Sequence, residues 1–336
     1  MTDVLRINDL VVEYTTQRGV ARAVDRVILS LPENRTLGLA GESGCGKSTL
    51  GRAIMQLVPY PGRIVSGEIT LNIDHDQVWK KGTIPKGDVP ILDMTEDQMR
   101  SLRGSEIAYI FQDPMTSLNP MLSIGKHFVQ MQQAHNPDIE EAEAIERATE
   151  VLEALGILAE RVNDYPHQFS GGMRQRVMIG LGLVLRPRLL ISDEPTTSLD
   201  VIVEAQILEE IQELKDMFNL TMILITHNLG VLAQTADDVA IMYAGRMAEI
   251  DTTETLFDNP QHPYTQALLQ CVPDVTKPEK QLAWIPGAPP DLVDPPMGCM
   301  YHPRCPFAMD ICKAEQPSLL ESDTGGLVAC HLYGRK

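Results

Sequence analysis

Between residues 4 and 40 apolar and polar positions alternate in the manner of strands. Val11, Val12 and Tyr14 lie in one, and Thr36-Leu37-Gly38-Leu39-Ala40 in another that runs directly into a glycine-rich turn. A helix is predicted from Lys47 through Leu57, stopped by Pro59 and Pro61. Residues 64–72 read as a further strand, carried by Ile64, Val65, Glu68, Ile69 and Leu71. Thr95-Glu96-Asp97-Gln98 has the spacing of a capping box opening a short helix, and Ile107 to Phe111 reads as a strand ending at Gln112. Residues 123–155 read as helical: Ile145, Ala148, Leu152 and Leu155 share one face, and Gly156 suits the C′ position. A second helix is expected over Arg174 to Leu185, ahead of Pro187. Leu189–Asp193 and Thr221–Thr226 are short continuous apolar runs, the pattern of buried strands in a mainly parallel sheet, with a helix from Glu204 to Phe218 joining them. Beyond about residue 272, proline, glycine and cysteine become frequent and periodicity is lost; Pro286-Gly287-Ala288-Pro289-Pro290 reads as a boundary region. The pattern divides the chain into a large α/β domain, 1–255, and a small appended domain, 256–336.

Composition narrows what this chain can do. Hydrophobic residues are 43% and charged residues 22% of 336, enough to bury a sizeable core. The net charge of −18 argues against a broad nucleic-acid surface, which needs cations to neutralise phosphates. The longest apolar run, Val177 to Leu185, is far short of the roughly 20 residues that cross a bilayer, and the N-terminus lacks the pattern of a signal peptide. A cytoplasmic protein is expected, held by a partner if it works at a membrane. Four of six cysteines, Cys299, Cys305, Cys312 and Cys330, crowd the last forty residues, which suggests a metal or cluster site more than disulfides.

Gly41-Glu42-Ser43-Gly44-Cys45-Gly46-Lys47-Ser48 follows a buried strand and opens a helix, the context that makes a triphosphate-binding P-loop credible over a chance glycine-rich turn. Gly41, Gly44 and Gly46 allow loop N–H groups, those of Ser43 and Cys45 among them, to turn toward phosphates at a helix N-terminus. Lys47 supplies a point charge for the β- and γ-phosphates and Ser48 a hydroxyl for Mg²⁺, with Thr49 next in line. Asp193 and Glu194 end a strand. Alone such a pair would start a solvated loop; beside a P-loop strand, Asp193 can reach Mg²⁺ through water and Glu194 can polarise an attacking water.

Phe169-Ser170-Gly171-Gly172-Met173-Arg174-Gln175-Arg176, between the P-loop and the carboxylates, resembles the signature motif of ATP-binding cassette (ABC) ATPases. Asp193-Glu194 followed by Pro195-Thr196-Thr197-Ser198-Leu199-Asp200 matches that family's Walker B and D-loop run. Gln112 resembles its Q-loop glutamine, a ligand for Mg²⁺ or the water, and His227 its switch histidine at the γ-phosphate. Tyr14 matches the aromatic that stacks on adenine, although an aromatic in a strand is often only core. The resemblance implies an α/β P-loop cassette with a RecA-like core, an antiparallel β subdomain and a helical subdomain at about 115–185. It also implies a dimer in which Ser170, Gly171, Gly172 and Asp200 face ATP bound by the other subunit. Met173 departs from the family's usual glutamine and removes one polar group.

Gln261 to Leu269, Ile285 to Pro290, Pro296 to Cys299 and His302 to Pro306 resemble segments of oligopeptide and dipeptide importer ATPases. The Gly-Met-Arg-Gln-Arg signature resembles the first of the two non-identical ATPases these importers use. The resemblance therefore implies a homologous second ATPase, two membrane permease subunits, an extracytoplasmic solute-binding protein and a place at the cytoplasmic face of the inner membrane. Peptide is the implied cargo, with sugar, nickel or glutathione as alternatives within the branch. A soluble ABC ATPase acting on DNA or ribosomes would carry a coiled-coil insertion, two cassettes or basic surfaces, and a scaffolding cassette would have lost catalytic residues; neither pattern fits. The tail cysteines, spaced x5, x6 and x17, leave an iron–sulfur cluster, zinc or no metal open, with His331 beside Cys330 read as a neighbour more than a substitute ligand. The resemblance implies 4Fe–4S.

Overall fold

The computed structural model describes residues 2–79, 82–111, 118–195, 212–215, 217–271 and 284–333. The chain forms two compact units that interleave in sequence: 1–4, 32–34 and 71–223 make one, and 5–31, 35–70 and 224–336 the other.

In the second unit the fully buried strand Thr36–Ala40 pairs in parallel with Asp238–Tyr243, Leu37 opposite Asp238 and Ala40 opposite Ile241. Asp238–Tyr243 turns back at Ala244-Gly245, both at positive φ (48° and 83°) as a tight hairpin requires, into the antiparallel strand Arg246–Thr252. The tail then adds two short strands of its own. Leu327–Val328 pairs antiparallel with Arg246–Thr252, and Leu320–Glu321 with Leu327–Val328. The helix Lys47–Ile54 follows the glycine-rich turn and ends three residues before the expected Leu57. Gln56 takes a left-handed φ of 50° and the Leu57 amide reaches back to the Arg52 carbonyl (2.8 Å), a closure that terminates a helix.

In the first unit Ile107–Ile110 and Leu189–Asp193 pair in parallel, Tyr109 opposite Ile191. A helical layer packs around Phe128, Leu152, Phe169 and Val177, all buried. The expected helix over 123–155 is two helices, Ile124–His135 and Glu141–Ala154. The break falls where Asn136 is extended (φ −127°, ψ 91°), the conformation a residue before proline prefers. The helix after the signature starts at Gly171, not Arg174, because Ser170 caps it: its hydroxyl accepts from the Met173 amide (3.3 Å). The capping box at Thr95–Gln98 and the left-handed Gly156 (φ 68°) stand as expected. Most of the helix expected over Glu204–Phe218 lies outside the described residues.

Candidate functional site

The glycine-rich turn is a cradle built by exclusion of side chains. A Cβ on Gly41 would lie 2.1 Å from the Met242 carbonyl oxygen, and one on Gly46 2.1 Å from that of Ala23; both residues adopt φ above 100°. Only glycine fits these two places. Gly44 faces nothing within 4 Å, so the open side of the turn is where a ligand can approach. Gly46 caps the helix Lys47–Ile54 without a side-chain bond, leaving amides of its first turn for an anion. Lys47 is buried, and its ammonium donates to the carbonyls of Gly41 (2.8 Å) and Glu42 (3.2 Å), folded back over the loop. Cys45 is buried as well; burial pushes its thiol up, opposed by the Lys47 charge. Ser43 is exposed at the turn, and Ser48 and Thr49 are half-buried in the first helical turn. Tyr14 is half-buried, and its ring lies 2.6 Å from where a Cβ on Gly62 would stand, so glycine makes the room the ring occupies. His227 is exposed just beyond the strand Thr221–Ile225, between buried Thr226 and Asn228, whose side chain accepts from the Gly230 amide (3.1 Å).

In the other unit Asp193 is almost fully buried at the end of its strand, and Tyr109 donates its hydroxyl to Asp193 Oδ2 (2.7 Å). The neighbouring strand thus orients the carboxylate, a role that strand alternation alone gave no sign of. Glu194 takes a left-handed φ of 47°, an uncommon backbone for a carboxylate side chain and one that turns it out of the strand. Ser170 is exposed, and a Cβ on Gly171 would meet nothing within 4 Å, so this helix start is open; Gly172 is half-buried beside it. Met173 is not idle. Its sulfur accepts from Arg161 (3.5 Å), whose guanidinium lies 4.3 Å over the Phe169 ring and pairs with Asp164 (2.8 Å). Gln112 and Asp200 lie outside the described residues.

The tail holds buried polar groups with assigned work. Glu249 accepts the amides of Gln261 (2.6 Å) and His262 (2.9 Å), and burial pushes its carboxyl up. Tyr243, Tyr264 and Tyr301 pack ring on ring, with centroids 4.5 to 5.4 Å apart. The expected 4Fe–4S site is overturned. Cys299, Cys305, Cys312 and Cys330 line one cavity with His302 and His331, but the chain's relatives are plain ATP-binding transport proteins and no observation supports a cluster. Burial pushes the thiols of Cys299, Cys305 and Cys330 up, the last to about 11. Among the described residues the one group of three ligand atoms within 4.8 Å is Asp74, His75 and Glu106, and it includes none of these cysteines.

A glycine cradle with a buried lysine, and a strand ending in an oriented Asp-Glu pair, define an ATPase of the P-loop class. Residues 24–197 match the family described as ABC transporter, and residues 248–312 the one described as oligopeptide/dipeptide transporter, C-terminal region. The chain is 40% identical over 329 residues to the dipeptide transport ATP-binding protein DppD of Escherichia coli (strain K12), covering 97% of this chain and 96% of the relative. It is 43% identical over 329 residues to the oligopeptide transport ATP-binding protein OppD of Bacillus subtilis (strain 168), covering 96% and 87%. Among solved structures, the ATP-binding cassette MJ0796 in a dimeric post-hydrolysis state with ADP and Pi superposes with a TM-score of 0.62 at 22% identity, over 74% of this chain and 98% of that one. The chain belongs to the ABC transporter ATPases, and binds and hydrolyses ATP with Mg²⁺ as that family does. These relatives are ATP-binding transport proteins without an iron–sulfur designation, in keeping with the correction at the cysteines. No helix among the described residues is long and apolar enough to cross a membrane.

Proposed function

We propose that this chain powers the import of di- or oligopeptides through partner membrane subunits. The observation that carries the reading is the full-length similarity to DppD and OppD proteins, tail included, together with an intact P-loop and Asp193-Glu194. In this reading residues 1–255 bind nucleotide and 256–336 form the appended importer domain. Lys47 and the amides of Gly41 through Thr49 hold the phosphates, and Tyr14 stacks on adenine. Ser48, Gln112 and Asp193 hold Mg²⁺, which neutralises charge gathering on the phosphate oxygens. Glu194 draws a proton from the attacking water, and His227 steadies that carboxylate and the γ-phosphate. Ser170, Gly171, Gly172 and Asp200 serve ATP held by a homologous but different second ATPase. Two permeases and an extracytoplasmic solute-binding protein complete the machine, with this chain on its cytoplasmic face.

Two measurements test the reading. Lys47→Ala should lose ATP binding, while Glu194→Gln should keep it and lower turnover by about 10²–10⁴-fold, the usual contribution of a general base. Cells lacking the chain should lose uptake of labelled dipeptide or tetrapeptide; unchanged peptide uptake with lost nickel, glutathione or oligosaccharide uptake would transfer the assignment to that cargo.

A further inference from the structure

Glu42 stands inside the P-loop at a position whose side chain the phosphate-binding pattern leaves free, yet its side chain, amide and carbonyl are all engaged. Its carboxylate receives both terminal nitrogens of Arg304, at 2.6 and 3.0 Å, in a two-pronged pair. The Arg304 side chain is only 5% exposed. That guanidinium also donates to the Pro286 carbonyl (2.8 Å) and the Tyr243 hydroxyl (3.2 Å), so its place is set by the tail and not by Glu42 alone. The Glu42 amide donates to the hydroxyl of Tyr264 (2.9 Å), a fully buried ring. On its other side the Glu42 carbonyl accepts from Lys47 (3.2 Å). Tail residues therefore grip this residue at the amide and the side chain, and the phosphate-binding lysine grips it at the carbonyl.

Two consequences follow from charge and geometry. A carboxylate in a loop that receives a triphosphate repels it unless a cation is paired with it. The Glu42 peptide plane, fixed by Tyr264, also sets where the next amides of the turn point. We propose that Arg304 and Tyr264 are positioning residues for ATP binding: the tail clamps the P-loop at Glu42, cancels its charge, and so sets the affinity of the cassette for nucleotide. The proposal rests on the nucleotide-site reading above and assigns the appended tail a part in the ATPase cycle itself, beyond any role in assembly.

The test is a double-mutant cycle on Mg-ATP affinity of the full-length chain, with melting temperature recorded in parallel. Arg304→Ala should weaken ATP binding about tenfold near 0.05 M salt, and the defect should shrink near 0.5 M, where screening shortens the reach of Glu42. Adding Glu42→Gln to Arg304→Ala should restore most of the affinity, because no carboxylate then opposes the phosphates. Tyr264→Phe keeps the ring packing and should weaken binding several-fold with little change in melting temperature; it keeps the question answerable if Arg304→Ala folds poorly. A plain structural staple predicts the opposite pattern: lower melting temperatures, a double variant no better than the single, and ATP affinity unmoved by salt. That pattern overturns the clamp while the wild-type chain still binds ATP. Absence of ATP binding in the wild-type chain overturns the nucleotide-site reading, and the clamp with it.

Discussion

His262 shows how a single buried ring is made to depend on one protonation state. It is 4% exposed; Nδ1 accepts from the Tyr264 amide (3.0 Å), capping the helix Pro263–Gln270, and the ring also bonds the backbone of Ala329. Burial pushes its pKa down to about 4 from 6.5. A proton on Nδ1 would remove the acceptor that the helix start uses. Because the folded value lies below the unfolded one, the unfolded chain binds the extra proton first, so this contribution is intact above pH 6.5 and is lost as pH falls from 6.5 toward 4. The loss should reach about 2 kcal/mol at pH 5. Glu249, held up by burial beside it, titrates with the opposite sign, since its protonated form is favoured in the fold. Comparing urea midpoints of wild type and His262→Asn at pH 7 and pH 5 separates the two: the variant starts less stable at pH 7 but should lose about 2 kcal/mol less on acidification. Equal acid losses would show that the ring does not titrate in this window.

Among elements, two of the four glycines in the helix Gly171–Leu183, Gly180 and Gly182, look alike in sequence and differ in surroundings. A Cβ on Gly180 would meet Leu155 and Phe128 at 3.1 Å and Val151 at 3.3 Å, so the glycine lets the helix close on its neighbours. A Cβ on Gly182 would find ordinary contact, nothing nearer than 3.5 Å. Gly180→Val should therefore cost about 1–3 kcal/mol by overpacking, while Gly182→Ala should be neutral or stabilise by up to about 1 kcal/mol through helix propensity. Denaturant unfolding of the two variants checks both; similar costs would mean the close approach is not what selects glycine. The same elements show what could be read in advance. The Thr95 capping box, the Gly156 helix end and the buried strand Leu189–Asp193 follow local rules, and local rules are legible. The split at Asn136-Pro137 was signalled by its proline but hidden under a continuous helical pattern. The end at Gln56 had no signal, because a left-handed glutamine closing a helix carries no composition of its own.

At the scale of the molecule, legibility falls with separation along the chain. The P-loop and signature are contiguous and were readable as motifs. Arg304 and Glu42 are 262 residues apart, Tyr109 and Asp193 84 apart, and no periodicity links such pairs. Cysteine spacing, conversely, suggested a cluster that neither the grouping of ligand atoms among the described residues nor the relatives support. The helix start at Ser170 is exposed. Within the chain its hydroxyl caps the helix through the Met173 amide and the adjoining Gly171 stays open. If that surface serves ATP held by a second cassette, Ser170→Arg should leave Mg-ATP affinity of this chain within about twofold and lower its stability by about 1 kcal/mol through the lost cap. Turnover of the mixed pair of ATPases should nonetheless fall about 10²-fold, the scale of losing a donor at developing charge. Measured side by side, a matching loss of this chain's own ATP affinity would place Ser170 at its own nucleotide instead, and full turnover in the mixed pair would remove it from the reaction altogether.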